Sequence, residues 1–179
     1  DVLATQLPLF GGRKSYGHFA AGWAIAGNTP FGWSKQVAGD FGGTRNGVII
    51  EYPAIIKDKG QIRSQFYHVI DIAPTILELC HVPQPVEVNG FDQEPMQGVT
   101  MVPSFTKADA PETHTTQYFE ITGNRGIYHD GWIARVIHRA AWETTPRGTF
   151  ADDKWELYNV TEDFSMSTDV AAQNPEKLK

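Results

Sequence analysis

The chain has 179 residues, 15 Lys and Arg against 21 Asp and Glu, a formal charge of −6 and 41% hydrophobic residues. That length suits one domain, or a domain and part of another, and the composition excludes a disordered, collagen-like or fibrous class. A sequence pI near 5.4 argues against a nucleic-acid partner or an anionic membrane surface, both of which need surplus Lys and Arg. No apolar run approaches the roughly 20 residues that span a bilayer, so no membrane partner is expected. Cys80 is the only cysteine, which rules out an internal disulfide and a cysteine-rich zinc site. A lone cysteine fits cytoplasm or periplasm equally and leaves localisation open.

The chain opens DVLATQLPLF and closes AAQNPEKLK. It starts without Met and without a basic region ahead of an apolar one, so the opening residues read as neither a native start nor a signal peptide. Pro175 and Glu176 suit the first turn of a helix that would stop just after it begins. Both ends read as cuts through a longer protein. Residues 1–47 are punctuated by glycines with aromatics between them and carry little periodicity. A stretch of this kind is a functional loop or one that has lost its neighbours. Residues 48–53 (VIIEYP) are β-branched and apolar, and predict a buried strand ended by Pro53.

A polar connection leads to DIAPTILELC, where Asp71 is placed to cap a helix and Pro74 falls where a missing N–H costs nothing. Ile72, Ile76, Leu77, Leu79 and Cys80 form its apolar stripe, with Cys80 read as a small core residue. A Pro/Gly-rich loop follows, then VTMVPSF as a weak strand or turn. The last third reads as β. TQYFEI (116–121) alternates, Asp130-Gly131 between β-rich runs signals a type I′ hairpin, and WELYNV (155–160) is a further strand. An antiparallel sheet of three or four strands results, with the helix at Asp71 as the candidate cover.

The six histidines (His18, His68, His81, His114, His129 and His138) form no HExxH pair and no zinc spacing. They read as surface and sheet-contact residues. His68 and Asp71 lie three apart, but Asp71 is better explained as a cap. No EF-hand, P-loop, GxSxG or GxGxxG motif occurs, and Asp152-Asp153 reads as a solvated loop pair. Residues 29–53 (TPFGWSKQVAGDFGGTRNGVIIEYP) stand out. Paired Gly42 and Gly43 let backbone approach backbone or a ligand. Lys35, on a loop packed by Phe31, Trp33 and Phe41, is either a compact charge offered to an anion or a plain surface lysine.

GWSKQVAGDFGGTRNGVIIEYP followed by FYHVIDIAPTILELCHVPQP resembles the sulfatase family, in particular bacterial arylsulfatases. The later runs TQYFEITGNRGIYHDGWIA and WELYNVTEDFS are similar to the family's C-terminal part, in the same order. The resemblance implies an α/β, alkaline-phosphatase-like sulfatase fold. Residues 1–63 would form the loop-rich end of the catalytic domain with its last strand at 48–53. Residues 64–179 would form a helix plus an antiparallel sheet packed on it. It implies hydrolysis of sulfate esters by a formylglycine nucleophile with a calcium ion. The nucleophile motif C/S-x-P-x-R and the calcium Asp pairs are absent here, and Cys80 lacks the Pro and Arg that the motif requires. The expectation is therefore a C-terminal fragment, inactive alone, holding no calcium itself. Lys35 is the residue that matches the family's sulfate-binding lysine. His18 in SYGHFAAGW is carried over as a residue of the substrate mouth, and Arg45 as an anchor of the turn. Trp23, Trp33 and Phe31 serve loop packing in preference to stacking on a leaving group. The opening 40 residues are expected to be mobile or to pair with a second copy through an exposed edge. The alternatives are a phosphatase or phosphonate hydrolase of the same superfamily, a non-catalytic interaction module, and an acidic α+β domain of another role.

Overall fold

The computed structural model describes residues 2–15, 17–140, 142–145 and 148–179. Five short α-helices occur among them, α1 (Val2–Gln6), α2 (Ala21–Asn28), α3 (Phe41–Thr44), α4 (Ile72–Leu79) and α5 (Val102–Thr106). Six strands follow the same order, β1 (Glu87–Val88), β2 (Phe91–Asp92), β3 (Thr116–Ile121), β4 (Asn124–His129), β5 (Trp132–Val136) and β6 (Glu156–Asn159). β1 and β2 form a small exposed hairpin, and β3-β4-β5-β6 form an antiparallel sheet in sequence order.

Turn chemistry sets this order. Asn89-Gly90, Thr122-Gly123 and Asp130-Gly131 each place two consecutive residues at positive φ. That is the twist a two-residue hairpin needs. Each closes directly on its strand pair: Val88 with Phe91, Ile121 with Asn124, His129 with Trp132.

The register puts Gln117 and Phe119, Gly126 and Tyr128, Ile133 and Arg135, and Glu156 and Tyr158 on one face of the sheet. Tyr128, Ile133 and Tyr158 of this face join Phe41 and Met166 in the buried core, with Phe31, Phe66 and Phe119 packed around them. Phe66 stacks on Tyr128 with ring centroids 3.8 Å apart. The cover is therefore the segment carrying α3, not the helix opened at Asp71. Helix α4 leaves Ile72 and Ile76 exposed, and Cys80 is exposed as well. Of the apolar stripe that the sequence suggested, Leu77 and Leu79 are half-buried, while Ile72, Ile76 and Cys80 stay exposed.

Three other expectations change. VTMVPSF contributes helix α5, with Pro103 in its first turn, in place of a strand or turn. The opening stretch is not structureless, since it contains α1 and α2. Residues 48–53 form no strand, and Ile49 is 98% exposed. A run this apolar needs ladder partners on its edges, and none of the described strands pairs with it.

Candidate functional site

A strap of residues 33–45 crosses the buried face of the sheet and carries Lys35. Four devices fix it. Gly39 lies on Gly126, where a Cβ added to Gly39 would sit 2.5 Å from the Arg125 carbonyl oxygen and one added to Gly126 2.5 Å from Gly39 Cα. Asp40, buried at 1% exposure, caps α3 by accepting from Gly42 N–H at 2.8 Å and pairs with Arg135 of β5. Arg135 also donates to Glu156 Oε2 at 2.8 Å and to the Tyr158 hydroxyl at 2.8 Å.

The other two devices are amides. Trp33 and Gln36, on either side of Lys35, have φ of 56° and 79°. That left-handed backbone costs a non-glycine residue roughly 1–2 kcal/mol. Asn28 Nδ2 donates to the Trp33 carbonyl at 2.8 Å and Asn124 Nδ2 to the Gln36 carbonyl at 2.8 Å. Asn124 is 0% exposed and also donates to the Arg139 carbonyl and accepts from Arg139 N–H. The strained loop is held where it is strained.

Gly42 and Gly43 serve backbone packing. A Cβ on Gly42 would lie 2.0 Å from the Gly32 carbonyl oxygen, and one on Gly43 2.1 Å from that of Val37. Arg45 lies over the rings of Phe31, Phe41 and Phe164, at 5.9, 4.9 and 4.2 Å from their centroids. Burial lowers its pKa from the ordinary arginine value. Both observations fit an anchor rather than a ligand contact. Phe31 packs on Phe41 and Phe164, and Trp33 stacks on Trp142.

Lys35 lines an open cleft of about 450 Å³ between the strap, His68 and the free edge of β3, with Thr44, Gln117 and Glu120 among the other walls. Lys35 is exposed and forms no ion pair among the described residues. His18 sits in an exposed loop and lines neither this cleft nor a second one of about 290 Å³ beside His138 and Asp153. Trp23 is exposed on α2.

Behind the cleft is a buried polar hub that the sequence reading missed. Asp71, 0% exposed, does not cap the first turn of α4. Its Oδ2 accepts from His68 N–H at 2.7 Å, its Oδ1 from Val99 N–H at 2.8 Å, and both face His114 Nδ1 at 2.8 Å. His114 Nε2 is 3.0 Å from Gln117 Oε1, and the Gln117 amide is oriented by its own bond to the Tyr118 carbonyl. The His68 ring lies 6.0 Å from that of His114. Burial first, then the charge on His114, lower the His68 pKa, with Asp71 opposing. Only the His68–Asp71 spacing hinted at this hub; His114 is 43 positions from Asp71.

Asp153, expected to be solvated, pairs with Arg125 and lies 2.8 Å from His138 Nδ1, while Asp152 accepts from Thr149. Among the described residues no group of three or more His, Cys, Asp or Glu is arranged to hold a metal ion.

No protein-family model matches the sequence. An uncharacterized sulfatase of Schizosaccharomyces pombe is 30% identical over 189 residues, which takes in 99% of this chain and 32% of that protein. This chain is related to the sulfatase family. A sulfatase of Formosa agariphila is 26% identical over 143 residues, 75% of this chain and 24% of that one. The chain thus spans about a third or less of these curated relatives. A solved structure described under metabolism of multiple glycosaminoglycans by Bacteroides thetaiotaomicron matches with a TM-score of 0.55 at 20% identity, over 79% of this chain and 28% of that one. The likeness is one of fold, and the chain takes up part of the alkaline-phosphatase-like sulfatase fold.

Proposed function

We propose that this chain supplies a sulfate-holding cleft to a sulfuric ester hydrolase of the arylsulfatase type, in which the formylglycine nucleophile and calcium come from parts of the protein outside this chain. The observation that carries the reading is Lys35, an ammonium without an ion-pair partner among the described residues, on a strap pinned to the sheet at three points and to α2 at a fourth, and lining a cleft. The sequence relationship to sulfatases supplies the chemistry it serves.

Sulfate-ester cleavage builds charge on the non-bridging oxygens. A cation already in place stabilises that charge without reorganising at the moment of reaction. A lysine on a mobile loop would lose much of this advantage. Here the loop's two left-handed residues are tied by buried or half-buried amides, so the ammonium stem starts from a fixed point. The part played by this chain is to bind and orient the sulfuryl group.

The test uses the full-length protein that contains this chain and a chromogenic aryl sulfate. Lys35→Ala is expected to lower kcat/KM by about 10²-fold with the melting temperature unchanged, because Lys35 is exposed. Unchanged kinetics would remove Lys35 from the site. Turnover of the matching phosphate monoester in preference to the sulfate would assign the cleft to phosphoryl chemistry.

A further inference from the structure

We propose that His68 is a second substrate-holding residue of the Lys35 cleft, donating from Nε2 as a neutral imidazole to an oxygen of the sulfuryl group that Lys35 holds. The proposal rests on the sulfate reading above and adds a residue that the sequence explained away.

Elimination on the ring leads to it. The ring lines the same cleft as Lys35. Nδ1 is buried and has no hydrogen-bond partner. Nε2 makes no hydrogen bond to the described residues and is not among the buried atoms, so it is the ring nitrogen with exposed surface, on a residue that lines the cleft. A proton on Nδ1 would be a buried donor without an acceptor, a costly arrangement. On Nε2 it reaches solvent or a ligand. The tautomer that wastes less is the one that presents an N–H to the cleft.

The surroundings hold the ring in that state. His114 and Asp71 lie beside it on the inner side, and Lys35, Tyr118 and Glu120 are the other charged or titratable residues that line the cleft. Desolvation and the His114 charge disfavour a second proton. Phe119 meets the ring edge-on with centroids 5.6 Å apart, and the His68 backbone N–H is bound to Asp71. Plane and position are thus both set. A neutral donor beside a lysine gives an oxyanion two directed contacts while adding only one positive charge, and the Glu120 carboxylate already bonds Gly123 N–H at 2.8 Å.

The test is a titration of the 179-residue chain with sodium sulfate against sodium chloride at matched ionic strength, read by long-range ¹H–¹⁵N correlation of the histidine rings. Sulfate is expected to shift His68 Nε2 with little change in the other rings. His68→Leu is expected to weaken sulfate binding five- to tenfold. His68→Gln, which keeps a donor near the same place, is expected to retain most of the affinity, a rescue that a purely structural role would not give. An unmoved His68 signal, with wild-type affinity in His68→Leu and lost affinity in Lys35→Ala, would overturn the proposal and leave the Lys35 reading standing. Sulfate binding that Lys35→Ala does not change would overturn the Lys35 reading, and this proposal with it. Should His68→Leu fail to fold, the wild-type shift and the His68→Gln affinity decide between the same outcomes.

Discussion

Ile49 and Ile133 sit in runs of similar β-prone composition, yet the first is 98% exposed and the second 3%. Ile133 lies opposite Tyr128 on one side and Tyr158 on the other, in a ladder whose turns fix the register. Ile49 follows Val48, also exposed, in a segment that pairs with none of the described strands. Burial here follows from neighbours in register, not from the hydrophobicity of the run. The same contrast separates the strap, which shares its core with the sheet, from α1 and α2, where Val2, Trp23 and Ile25 stay exposed.

Three substitutions and a pH series sharpen this contrast, taken from the largest expected effect to the smallest. Arg135→Met leaves Asp40 buried without its cation and is expected to cost about 3–5 kcal/mol. Urea unfolding measures it; a loss below about 1 kcal/mol would mean the strap is not fastened by this pair. Ile133→Ala removes core volume between two tyrosines and is expected to cost about 2–4 kcal/mol. Ile49→Ala, by contrast, is expected to stay within about 0.5 kcal/mol. Equal losses at the two isoleucines would break the comparison.

The pH dependence has two arms. Burial raises the phenol pKa of Tyr158 to about 12, with a hydrogen bond to Glu156 adding to it and Arg135 opposing. Burial and Glu112 raise that of Tyr128. The unfolded chain loses these protons first, near pH 10. Stability is therefore full below that value and falls as pH rises toward the folded values. His68 has the opposite sense, since its folded pKa lies below the unfolded one. Its contribution is full above about pH 6.5 and is lost as pH falls through that value toward the folded one. Urea midpoints at pH 7.5 and 5.5 should drop more in wild type than in His68→Leu. An equal drop would assign the acid sensitivity to other groups.

What could be read in advance followed from local chemistry. Asp130-Gly131 announces its turn, and β3 announces itself by alternation. What escaped depended on distant partners. Asp71 does cap the turn that leads into α4, by accepting from His68 N–H, but His114 and Val99 claim its oxygens as well. Residues 48–53 have the composition of a strand without a pairing edge among the described strands, and the stripe on α4 has the period of a packed helix but buries only part of its width. The buried, unpartnered Nδ1 of His68 is likewise a property of the packed ring that no local pattern announces. Asn124 looks like an ordinary polar residue near a turn until its three bonds join the strap to the segment after β5.

The most direct measurement is crystallographic. Selenate, a sulfate analogue with an anomalous signal, would be soaked into crystals of this chain. An anomalous peak between the strap and β3, with an anion oxygen about 3 Å from Lys35 Nζ, is the expected result. Selenate bound only elsewhere on the surface, with the Lys35 side chain directed away from that cleft, would contradict the account.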